Sequence, residues 1–236
     1  MNIYNKLFKT KETSPESQRW VDDVLEESNI TIENPYKVVE DDYWRTTHNT
    51  IHVKKNYEQD NPELNKFILK HEVKHLKNKD TLKSAPLYGT TVGLATFIMG
   101  RKPIFTVPVI LAGYSMNMAY WKYYEGEADR FAYEHSNRKE IETAQQYFLN
   151  KRQTEINNVL DLDDAIHSIE HKLNKPLSYY DMIKEKTRLN FFKTVRKNPE
   201  ISVDILEFIN DREHPSNKNR AAMAQQYIDQ WEETYK

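Results

Sequence analysis

The sequence predicts an α+β fold, mostly α, in which a small sheet lies beside a buried helix and a hydrophobic helical hairpin follows. Three observations predict it. Two short runs, Tyr36 to Val39 and Thr50 to Val53, carry the β-branched and aromatic residues of strands. Further along, apolar residues recur at helical spacing. Finally, the 38 residues from Ser84 to Trp121 contain two charges, Arg101 and Lys102, in a chain that is 30% charged.

Each element follows in order. Thr13-Ser14-Pro15-Glu16 has the form of a helix start, with Trp20, Val21, Val24 and Leu25 on one face. Thr46 to Asn49 is expected to turn between the two strands. Asn61-Pro62-Glu63 opens the next helix. Leu64, Phe67, Ile68, Leu69, Val73 and Leu76 then make Asn65 to Asn78 a largely buried helix. A strand just before it can offer its edge to an extended peptide.

The uncharged stretch divides at Gly100-Arg101-Lys102-Pro103, a helix stop followed by a helix start. Its arms, Ser84 to Met99 and Pro103 to Trp121, reach about 24 and 28 Å as helices, against about 30 Å for a hydrocarbon core. Gly89, Gly93, Gly113, Thr90 and Thr91 suit close helix packing in lipid. A transmembrane hairpin over 84–121 is therefore expected. Polar helices follow at Ile141 to Gln153, Val159 to Leu173, Ser178 to Thr194, Val203 to Ile209 and Arg220 to Trp231. Breaks fall at Asn174-Lys175-Pro176 and Asn198-Pro199.

The chain has 236 residues, enough to bury a sizeable core. Lys plus Arg is 34 and Asp plus Glu is 36, so no global field favours nucleic acid or acidic lipid, and no nucleic-acid partner is expected. Cysteine is absent, which excludes disulfides and Cys-based zinc ribbons. Met1 to Ser14 has no apolar core, so no cleaved signal is expected, and Asn29-Ile30-Thr31 is read as a chance sequon.

The chemistry lies in His71-Glu72-Val73-Lys74-His75, the HExxH pattern. Residues four apart share a helix face, so both imidazoles reach one metal, while Glu72 stands at its edge, where a carboxylate takes a proton from water. Two His require a third protein ligand and leave a fourth position open. Glu125 is the best candidate. Asp129 shares its face and suits a carboxylate that accepts the free ring N–H of a ligand His, whereas Glu127 points away. The inverted motif His167-Ser168-Ile169-Glu170-His171 is read as a solvated face, because Ile166, Ile169 and Leu173 form the apolar side there.

HEVKHLKNKDTL (His71 to Leu82), the hydrophobic stretch, and YEGEADRFA (Tyr124 to Ala132) together resemble the integral-membrane gluzincin peptidases, the family of the CAAX prenyl protease and the HtpX-type heat-shock protease. Asp80, five residues after HExxH, fits that pattern, as do Ala128 and Asp129 after Glu125, and His214-Pro215 with Arg220 as HPxxxxR. The resemblance implies a Zn²⁺ endopeptidase with His71, His75 and Glu125 as zinc ligands, Glu72 as general base and His214 as a transition-state donor. It also implies a protein or peptide substrate and a lipid bilayer as partner. Residues 1–34 are then an N-terminal helical extension and 35–236 the metallopeptidase domain carrying the hairpin.

Lys70, Lys74, Lys77, Lys79 and Lys83 before the hairpin, and Lys122 and Arg130 after it, outnumber Arg101 and Lys102 in the turn. Both flanks, and with them the active site, are expected to face the cytoplasm. Two rivals remain: a soluble HExxH metalloprotease of the DNA-repair or phage-regulator kind, and a non-enzymatic membrane scaffold with a relic motif.

Overall fold

The computed structural model describes residues 14–47, 49–57, 59–100, 106–210 and 214–234. Helix α1 (Pro15–Glu27) starts as its sequence requires, with the Ser14 side chain accepting from the Ser17 backbone N–H and proline in the first turn. It buries Val21, Val24 and Leu25 against the sheet and so shares the core of the elements that follow.

The sheet has three strands, β1 (Lys37–Asp41), β2 (Arg45–Thr47) and β3 (Thr50–Lys54), in the order β1-β3-β2. β1 runs parallel to β3 with Val38 opposite Ile51, and β2 runs antiparallel to β3 with Thr46 opposite Ile51. The expected turn over Thr46 to Asn49 is thus corrected, since Thr46 and Thr47 belong to an edge strand. Arg45, Thr46 and Thr47 offer no apolar alternation to announce it. Polar contacts hold it instead: Arg45 pairs with Asp41 at 2.8 Å, and Thr46 Oγ1 donates to the Glu72 carbonyl at 2.9 Å.

Helix α2 (Pro62–Asn78) divides two hydrophobic clusters. Leu69, Val73 and Leu76 face Val38, Ile51 and Val53 of the sheet and Val21 of α1. Phe67 faces the opposite way, into Ala132, Tyr133, Ile141, Phe148 and Ala224. The helix is therefore clamped on both sides, and Lys70 adds an ion pair to Glu140 at 2.5 Å with both side chains 3% exposed.

Lys79 ends α2 with a left-handed backbone (φ 56°) and at once begins α3 (Asp80–Met99). A non-glycine residue rarely holds that conformation, and here it folds Asp80 back beneath α2. Helix α4 (Thr106–Glu134) is unbroken over 29 residues and returns along α3. Pro108 falls in its first turn, where a missing N–H costs little. Gly113 permits the close approach of the two helices, because a Cβ there would overlap the Thr91 side chain, whereas Gly89 and Gly93 face open space.

The hairpin of α3 and α4 is present, but its expected spans find no support. Among the described residues, no helix is long and apolar enough to cross a membrane. The apolar part of α3 follows a charged first turn containing Asp80 and Lys83, and that of α4 gives way to a polar second half that carries the site. Of the expected turn, Arg101 to Pro103 lie outside the described residues.

Helices α5 (Arg138–Leu160), α6 (Asp163–Leu173), α7 (Tyr179–Lys197), α8 (Pro199–Asn210) and α9 (Asn217–Thr234) complete the fold. The expected helix over Val159 to Leu173 is in fact split, with Val159 closing α5 and α6 starting at Asp163. Asn137 and Glu140 form a capping box at the start of α5.

Candidate metal centre

His71 and His75 stand one turn apart on the face of α2 that meets α4. Their ring centroids are 4.8 Å apart and their Nε2 atoms 3.1 Å apart. Across from them, Glu125 of α4 places Oε2 3.1 Å from His71 Nε2 and Oε1 3.2 Å from His75 Nε2. All three side chains are buried, and one donor atom from each lies within 4.8 Å of the others.

The far side of each ring explains the orientation. Asp129 Oδ1 accepts from His71 Nδ1 at 2.9 Å, and Asp80 Oδ2 accepts from His75 Nδ1 at 2.9 Å. With protons on both Nδ1 atoms, both Nε2 atoms present lone pairs to each other and to Glu125. Three acceptors converging at 3.1–3.2 Å repel one another unless positive charge lies among them. In a tetrahedral zinc site, with metal–ligand distances near 2.0–2.1 Å, ligand atoms lie about 3.3 Å apart. The observed spacing is close to that.

Glu125 Oε2 adds a second sign. It is buried and lies 3.1 Å from both His71 and His214, yet it makes no hydrogen bond of acceptable angle. The donor set of two imidazoles and a carboxylate therefore fits a catalytic zinc site with one position left for water.

The ionisation of the isolated residues points the same way. Burial alone would lower His75, but its bonds to Asp80 and Glu125 outweigh it and push the ring up to about 10. Burial likewise opposes charge on His71, and Asp129 and Glu125 reverse it, so its pKa is raised. Burial would raise Glu125, but His214, His71 and His75 hold it well below the usual carboxylate range. The pocket's field favours positive charge at its centre.

The other expected site residues fall as follows. Glu72 is half-buried at the edge of the cluster, and its charge is one of those that raise His75. His214, from the segment before α9, brings Nε2 to 3.1 Å from Glu125 Oε2, with its ring stacked 6.4 Å from His71. Glu127 turns outward and pairs with Arg130 at 2.6 Å. His167 and His171 are exposed, on the solvent side of α6 as read from the sequence.

Two partners stood in the sequence patterns without an assigned role. Arg220 of α9 donates to Asp129 Oδ1 at 2.5 Å and lies over the Phe148 ring at 4.1 Å. Burial would raise the Asp129 pKa, but the charge of Arg220 and the bond to His71 keep it low. Asp80 is the second; its place five residues after His75 was the available signal, while Arg220, 91 residues from Asp129, had only the HPxxxxR pattern.

Comparison with protein families decides the kinship, since the profile of peptidase family M48 matches residues 50–228. The chain belongs to peptidase family M48. The M48 match begins at β3, runs through the His71–Glu125 cluster and His214, and ends within α9. It makes the protein a member of a gluzincin metallopeptidase family, hydrolases that act on protein or peptide substrates. No curated protein and no solved structure matches the chain.

Proposed function

We propose that the protein is a zinc-dependent endopeptidase. The observation that carries this reading is the convergence of His71 Nε2, His75 Nε2 and Glu125 on one buried point, with both Nδ1 atoms engaged by carboxylates. When bound there, zinc would supply Lewis acidity toward the scissile carbonyl and acidify the attacking water.

The chain's own residues do the rest. Asp129 and Asp80 fix the tautomers of His71 and His75 and keep both Nε2 atoms directed at the site. Glu72 accepts the proton of the attacking water and passes it to the leaving amine. His214, reaching in from the opposite side, donates to the oxygen on which negative charge develops. β2, the edge strand tied to the Glu72 carbonyl through Thr46, is the edge on which an extended substrate would add as a further strand.

Membrane association belongs to the same proposal. Val92, Phe97, Met99, Val107 and Leu111 of the hairpin are each more than half exposed, a density of bare apolar surface that suits immersion in lipid. The Lys-rich flanks of the hairpin support an active site on the cytoplasmic side.

The test is metal content and peptide hydrolysis of the purified protein beside Glu72→Gln. The parent should bind one zinc and cleave, and the variant should keep the zinc and lose turnover. Equal turnover would remove Glu72 from its role. A parent without zinc or hydrolysis would favour the relic scaffold instead.

A further inference from the structure

Helix α7 is the anomaly of the fold: over 19 residues it buries none. Its half-buried side, with Met182, Leu189 and Phe192, rests on its neighbours. The opposite side is not the polar surface that a solvated helix would present. Tyr179 and Tyr180 are each 76% exposed, Phe191 59% and Ile183 45%. At 100° per residue these four fall within one third of the helix circumference.

The charges of α7 are arranged around that strip. Lys184 and Arg188 flank it on one side and Lys186 and Lys193 on the other, while Lys197 stands in line with Tyr179 at the C-terminal end. With Arg196, the helix carries six cations against two anions, Asp181 and Glu185, in a chain whose net charge is −2. Arg188, Lys193 and Arg196 are paired with Glu185, Glu170 and Asp163. Among the described residues, Lys184, Lys186 and Lys197 have no ion-pair partner.

We propose that this outer face of α7 docks on an anionic lipid surface, with Tyr179, Tyr180, Ile183 and Phe191 at the headgroup level and the lysines against the lipid charges. Aromatic side chains bordered by Lys, on a helix that buries nothing in its own fold, have the pattern of interfacial helices. Charge complementarity selects the occupant. A second copy would set cations against cations, whereas a surface of acidic headgroups neutralises both flanks at once. Apolar exposure continues onto α8, where Ile201 and Ile205 are 60% and 52% exposed one turn apart. That continuation favours lipid over a nucleic-acid strand, which would use the aromatics and leave Ile183, Ile201 and Ile205 in water.

This contact is independent of the peptidase chemistry and distinct from hairpin immersion, which needs no lipid charge. The test is sedimentation of the full-length protein with phosphatidylcholine vesicles, with and without one third phosphatidylglycerol, at low and high salt. Binding to the anionic vesicles should be stronger and should weaken with salt. Lys184→Gln/Lys186→Gln/Lys197→Gln should lose roughly a hundredfold of that preference, while keeping its helix content and its binding to neutral vesicles. A dye on Tyr180→Cys of this cysteine-free chain should shift to the blue only with anionic vesicles. Equal binding to both vesicle types, an unaffected triple variant, or an unshifted dye overturns the proposal. So does tight binding of a single-stranded RNA without preference for anionic vesicles.

Discussion

Replacing Glu140 with Ala should destabilise the protein by about 3–5 kcal/mol, because it strands a charge beside the active-site residues. In the intact fold, Lys70 Nζ and Glu140 Oε2 are 2.5 Å apart and each side chain is 3% exposed. Burial already lowers the Lys70 pKa from its ordinary 10.5, and the bond to Glu140 is the main force holding it up. Without Glu140 the ammonium must stay charged and unpaired or give up its proton. Release at pH 7 costs about 5 kcal/mol, at 1.36 kcal/mol per unit below 10.5, and this caps the penalty. Loss of the capping contact to Asn137 adds about 1 kcal/mol.

The pH dependence of that penalty has a definite sign. A lysine depressed in the folded state is bound by more protons when unfolded, so stability rises with pH until the unfolded lysine also titrates. The gap between Glu140→Ala and the parent should therefore narrow from pH 7 toward 10.5. Urea unfolding at several pH values measures it, and Lys70→Met/Glu140→Leu should recover most of the loss by removing both charges. A single-variant cost below about 1 kcal/mol, or a gap that is flat in pH, would refute a buried ion pair at this position.

Three further outcomes are expected. With metal removed, His75 is raised from 6.5 to about 10, so its contribution is fully present below pH 6.5 and lost as pH climbs through about 10. Thermal melts of chelated protein should thus show a fall of up to about 4–5 kcal/mol across that window, absent when zinc is bound; identical profiles would contradict this. Asp129→Asn and Asp80→Asn should each weaken zinc binding about 10–100-fold by releasing the ring they orient, as read by competition with a fluorescent chelator, and unchanged affinity would remove them from that role. His214→Phe should keep its zinc and lower kcat more than it changes KM, whereas unchanged kcat would leave His214 without a part in the transition state.

How much of this was legible depended on the range of each interaction. His71, Glu72 and His75 are within one turn of each other, so helical spacing alone set their geometry, and Glu125 and Asp129 could be paired by the same rule. Helices α1 and α2 were readable because apolar period and start residues agreed. β2 was not, because its residues are polar and its hydrogen bonds run to β3 and α2. Arg220 meets Asp129 only through tertiary packing, which no local period encodes. The hairpin was found from its lack of charge, but a run of apolar residues does not say how much of each helix remains polar.

The continuity of α4 has a mechanical consequence. Thr106 lies nineteen residues before Glu125, about 28 Å along one rigid helix. The end that carries Glu125 is gripped by Ala128, Phe131, Ala132 and Tyr133, while near the far end Thr106 is buried but Val107, Pro108, Ile110 and Leu111 are exposed. A sideways push of about 1 Å at the far end pivots the rod by only about 2°, and moves a carboxylate close to the pivot by about 0.2 Å. Such a lever has a large mechanical disadvantage toward its fixed end. The exposed positions near the tip can therefore be jostled or resequenced with little disturbance at Glu125, whereas Gly113 stays tied to its contact with Thr91.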